Sequence, residues 1–76
     1  MKYKFKEFMS QYFHKPGDCC LQYRWEQFLA MTFQGQNYEL AIAYTDKLIS
    51  QNYIQITQKD IGQCFVITDI GFYELL

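Results

Sequence analysis

His14, Cys19, Cys20 and Cys64 are the soft ligands and nucleophiles of this chain, and their spacing limits what they can do. A cysteine zinc site wants two thiols roughly two to four residues apart, a demand that adjacent Cys19 and Cys20 do not meet. A thiol nucleophile needs a histidine base within reach. His14 precedes Cys19 by five positions across Pro16-Gly17, a spacing that permits contact without enforcing it, and small buried thiols with a surface histidine account for the same residues. The carboxylates of Glu26, Glu39, Asp46, Asp60 and Asp69 are scattered, and no glycine-rich loop offers a phosphate cradle. These residues describe a non-enzyme with no catalytic, cofactor or metal site.

The remaining chemistry is that of surfaces. Seven basic and eight acidic residues leave a net charge of −1, so no overall positive field attracts phosphate or anionic lipid. Lys2, Lys4, Lys6, Lys15 and Arg24 gather most of the positive charge in the N-terminal half, interleaved at its start with Tyr3 and Phe5. That pattern fits either a basic arm touching nucleic acid or a solvated helix end, and so few charges favour the latter. Fifteen aromatic residues in 76 are more than a chain of this size can hide, and exposed rings are enriched at protein interfaces. Three cysteines, two of them adjacent, argue against a disulfide framework and for a reducing cytoplasm. The opening Met1-Lys2-Tyr3-Lys4-Phe5-Lys6-Glu7 is no secretory leader. No apolar run approaches the roughly 20 residues that span a bilayer, so no membrane partner is expected.

One domain is expected from the length. Phe5, Phe8, Met9, Tyr12 and Phe13 fall at the spacing of one helical stripe, and Pro16-Gly17 ends that helix near His14. Asp18 offers an N-cap to a second helix with Leu21, Trp25, Phe28, Leu29 and Thr32 on one face, running to about Phe33. Asn37 caps a third, to about Gln51. Its apolar side is Leu40, Ala41, Tyr44 and Leu48, widened by Tyr38, Ile42 and Ile49, while Glu39, Ala43, Asp46, Lys47 and Ser50 face water. Tyr53–Thr57 and Cys64–Thr68 alternate in period two as strands. Gln58–Gln63, with Gly62 suited to positive φ, turns them into a hairpin. A short helix over Asp69–Leu76 starts from Thr68 or Asp69.

Two stretches carry a resemblance. Leu48-Ile49-Ser50-Gln51-Asn52-Tyr53-Ile54 resembles the end of the third helix of a winged-helix domain, running through a left-handed cap into the first wing strand. Asn52 stands where glycine is usual and is the next best residue for that conformation. Ile67-Thr68-Asp69-Ile70-Gly71-Phe72-Tyr73-Glu74-Leu75 is similar to the L-T-x-x-G-x-x-x-L passage from the second wing strand into the final helix. Together they cover the last third of the chain. The resemblance implies an α+β, winged-helix-like domain, a variant of the helix-turn-helix, with three helices followed by a two-stranded hairpin and a short C-terminal helix. It further implies a third helix in the DNA major groove and a hairpin on the backbone or minor groove.

The charges depart from that use. The water-facing side of the third helix carries Glu39 and Asp46 against Lys47, and the hairpin offsets Lys59 with Asp60, where a DNA-binding face needs Lys and Arg to neutralise phosphates. A small adaptor or inhibitor that binds another protein is therefore expected. It would use Tyr23, Tyr38, Glu39, Ala43, Asp46, Lys47, Ser50, Lys59 and Asp60. An acidic face can occupy a basic nucleic-acid groove, which suits a phage or mobile-element inhibitor of a host nucleic-acid-directed defence enzyme. The alternative is a DNA-binding transcription regulator, and a homodimer is compatible with either.

Overall fold

The computed structural model describes all 76 residues as an α+β arrangement of four helices and a three-stranded antiparallel sheet. In chain order the elements are α1 (Lys2–Tyr12), β1 (Cys19–Leu21), α2 (Gln22–Thr32), α3 (Gln36–Ser50), β2 (Ile54–Lys59), β3 (Gly62–Ile67) and α4 (Asp69–Leu75). The sheet order is β1-β3-β2. No helix is long and apolar enough to cross a membrane.

The expected order of elements holds in part, and β1 is the unexpected one. Cys19-Cys20-Leu21 belongs to the sheet and not to the second helix: the three residues pair with Val66, Phe65 and Cys64. Asp18 consequently does not cap α2. Its carboxylate accepts hydrogen bonds from the backbone N–H groups of His14 (2.9 Å) and Lys15 (3.2 Å), in the turn that follows α1, which ends at Tyr12, short of His14. Backbone bonds from Gly17 to Ile67 and from Ile67 to Asp18 extend the ladder beyond β1. The third helix also begins earlier than Asn37. Gly35, at φ +58, turns the chain into Gln36, and no side chain caps the helix.

The hairpin is tighter than a loop over Gln58–Gln63. Its strands run to Lys59 and restart at Gly62, leaving Asp60-Ile61 as the turn, and Gly62 takes φ +127. Tyr53 precedes β2 and Thr68 follows β3, so both leave the strands to which the alternation assigns them. Ile54 and Ile56 share one face, yet Ile54 is fully buried and Ile56 is half exposed, because the hairpin extends past the core.

Rings from all three long helices and β3 build the core. Phe5 lies within 6 Å of Trp25, Phe28, Phe33 and Tyr44, and Phe8 stacks on Phe28 at 4.2 Å. Trp25 meets Phe65 edge-on at 4.9 Å. The Trp25 indole N–H donates to Thr45 Oγ1 (3.1 Å), whose hydroxyl donates on to the Ala41 carbonyl (3.0 Å), so burial of the largest side chain leaves no orphaned donor. Small Ala41 and Thr45 occupy the centre of the buried arc of α3 with Leu48. Leu40, expected on the apolar side, is rotated out and 50% exposed.

At the other end, α3, β2 and α4 are tied through their backbones. Asn52 takes φ +63, the left-handed conformation expected of it, and Tyr53 N–H reaches back to the Leu48 carbonyl. The Thr68 hydroxyl donates to the Asn52 carbonyl (2.8 Å) and accepts from Gly71 N–H (2.9 Å), capping α4. A Cβ on Gly71 would collide with the Tyr53 carbonyl, so that position admits only glycine without movement.

Candidate functional site: an exposed helix edge and two grooves

All nine residues expected at a partner-binding surface are exposed, but the fold does not gather them in one place. With Ala41, Thr45 and Leu48 inward, 100° per residue puts Glu39 and Asp46 on one side of the exposed arc of α3 and Lys47 on the other, with Ala43 and Ser50 between. Tyr38, Ile42 and Asp46 follow one another at four-residue intervals along the acidic side. There Tyr38 and Ile42, expected to widen the apolar side, remain more than a third exposed at its margin.

Lys47 belongs to a different surface. It lines a groove with Lys2 and Lys6 of α1 and Glu74 of α4, walled by tyrosines 3, 44 and 53. Lys4 does not join them: it lies by a separate cleft with Glu7, Phe8 and Phe28. The N-terminal lysines are thus divided between two sides of α1 rather than forming one arm.

Tyr23 sits in a third location. It lines a groove between α2 and the hairpin with Gln22, Glu26, Ile61 and Gly62, and the Arg24 guanidinium lies over its ring at 5.1 Å. Lys59 and Asp60 flank that hairpin tip in the sequence. The exposed isoleucine of this groove was not anticipated: Ile61 is 76% exposed at the turn. An isoleucine in a turn flanked by Asp and Gly is a signal for an exposed apolar tip, since neither turn position faces a core.

The sheet pleat puts Cys20 on the core face with Phe65, and Cys19 with Cys64 on the opposite face. Cys20 and Cys64 are buried and Cys19 is exposed, so Cys19 is not one of the small core residues it was expected to be, while His14 lies on the surface as expected. Burial pushes the Cys20 thiol up to about 12, with Cys19 and Cys64 adding to the shift. Burial likewise raises Cys64, and neighbouring Cys19 adds to the shift. Both buried thiols are therefore protonated at neutral pH, the form that is neither nucleophile nor metal ligand. No cluster of three or more His, Cys, Asp or Glu stands ready for a metal ion.

No protein-family model, curated protein or solved structure matches the chain.

Proposed function

We propose that this chain is a winged-helix-type domain that serves as a protein-binding adaptor or inhibitor, contacting its partner through the acidic, aromatic edge of α3. The observation that carries the reading is the grouping of Tyr38, Glu39, Ile42 and Asp46 on one exposed edge that no Lys or Arg of the helix shares. Apolar side chains exposed beside carboxylates suit a basic protein surface with an apolar centre. They do not suit a polyanion, whose affinity rests on cations at the contact. Support for the winged-helix part comes from the helix–strand–helix–helix–strand–strand–helix order, the β1-β3-β2 sheet and the tie between Asn52 and Thr68. A partner with a basic nucleic-acid groove, as in a nucleic-acid-directed defence enzyme, has the matching charge.

Two measurements decide between this reading and a DNA-binding regulator. The domain is expected to leave random duplex DNA unbound at low salt. Tight binding that falls steeply as salt rises would instead assign the surface to DNA. In affinity capture from a host lysate, Glu39→Lys/Asp46→Lys is expected to lose the partner held by the unaltered chain. An unchanged catch would remove the acidic edge from the account.

A further inference from the structure

Three of the seven basic side chains of a net-negative protein meet in one groove. Lys2 and Lys6 lie one helical turn apart on α1, Lys47 faces them from α3, and the open groove between them has a volume of about 470 Å³. Its floor is apolar: Met9 and Leu48 line it although both are otherwise buried. Glu74 is the one acidic residue among its walls. Nothing in the first turn of α1 offsets this charge, since no acidic side chain stands there, and lysines at a helix N-terminus oppose the helix dipole. Three cations share this groove with one carboxylate, a balance of charge that attracts an anionic occupant.

Its lining narrows the occupant. A bare anion would make no use of Met9, Leu48 and the tyrosine rings, whereas lysines whose stems lie along apolar walls suit a ligand that alternates carboxylates with an apolar side chain. Glu74 can accept a hydrogen bond from a peptide N–H, a donor that a phosphodiester backbone lacks. Three lysines also release too few counterions to hold nucleic acid at physiological salt. We infer that the groove between α1, α3 and α4 binds an acidic segment of a partner protein, with an apolar side chain on Met9 and Leu48 and flanking carboxylates on Lys2, Lys6 and Lys47. The domain then carries two docking surfaces of opposite sign on the two sides of α3, the arrangement of a bridge between two proteins. This second surface uses neither Glu39 nor Asp46, so it stands or falls independently of the acidic edge.

Fluorescence anisotropy with a short labelled peptide alternating Glu and Leu tests the inference, with a Gln/Leu peptide and a labelled oligothymidine as companions. The Glu/Leu peptide is expected to bind at low salt, at least about tenfold more tightly than its Gln/Leu counterpart, and to weaken as salt rises. Lys2→Glu/Lys47→Glu is expected to reduce its affinity by about tenfold or more, and Lys6→Gln/Lys47→Gln by less, while Glu39→Lys/Asp46→Lys does not weaken it. All of these positions are exposed, and Glu in the first turn of α1 favours the helix, so circular dichroism should show each variant folded. Absence of peptide binding, equal binding of the Gln/Leu peptide, or unaltered binding by the Lys→Glu variant overturns the inference. So does tighter binding of the oligothymidine, or sedimentation showing that a second copy of the chain fills the groove.

Discussion

The two ends of this molecule are held together by different means. Around Trp25, α1, α2 and α3 meet through interlocked rings, with a single polar link from the indole N–H to Thr45. Where α3 passes into β2 and β3 into α4, every contact ends on the backbone: Tyr53 N–H on the Leu48 carbonyl, the Thr68 hydroxyl on the Asn52 carbonyl, and Gly71 against the Tyr53 carbonyl. A ring cluster asks only for large apolar side chains at helical intervals, and many sequences supply it. A backbone junction asks for particular residues, because only glycine admits the close approach and the helix start needs a short side chain that both donates and accepts, as the Thr68 hydroxyl does. Hence the junction reads as a motif and the ring cluster reads only as a periodicity.

Substitutions at each end should break that contrast in graded steps. Trp25→Ala removes the most contacts and is expected to cost about 3–5 kcal/mol, seen as a large fall in urea midpoint; a cost near that of a surface change would mean that the rings are not the main support of the N-terminal half. Gly71→Ala should cost about 2–3 kcal/mol despite adding only a methyl group, since the obstacle is backbone that cannot turn aside. A neutral result would mean that α4 can shift away from Tyr53. Thr45→Val keeps shape but strands the buried indole donor, at an expected cost of about 1–3 kcal/mol. Trp25→Phe on the Thr45→Val background should then be milder than the sum of the two single changes, because the stranded donor is gone. The smallest effect is expected at Asn52→Gly, within about 0.5 kcal/mol, where relief of left-handed strain is offset by a looser unfolded chain and by loss of the Gln55 amide's bond to Asn52. Thermal melts of that variant would resolve even a small shift.

How far the residues announced all this differs by feature. Asn52, Thr68 and Gly71 marked the junction, and the stripes Phe5/Phe8/Met9 and Trp25/Phe28/Leu29 marked the packed faces of α1 and α2. Strand β1 escaped because three residues cannot display an alternation, and its partners lie in β3 at the far end of the sequence. Leu40 misled for a different reason. Hydrophobicity alone centres the buried arc of α3 on the large residues, but close approach to Trp25 selects small Ala41 and Thr45. The candidate site follows the same logic. Exposure of Tyr38, Glu39, Asp46 and Lys47 was legible from the helix period. The separation of Lys47 from the acidic edge was not, because its companions Lys2 and Lys6 come from α1 and only tertiary packing brings them near.

The pairing of β1 with β3 also sets an order in time. Residues of β2 and β3 pair across a two-residue turn, whereas β1 meets β3 over a gap of more than forty positions. Closing that gap costs more chain entropy than closing the hairpin, so the hairpin is expected to form early and β1 to dock onto it late. Stopped-flow kinetics of Leu21→Ala should then show faster unfolding with little change in the folding rate, the signature of a contact absent from the transition state. The three residues of β1 would act as the latch of the fold, controlling how long the native state lasts more than how quickly it is reached.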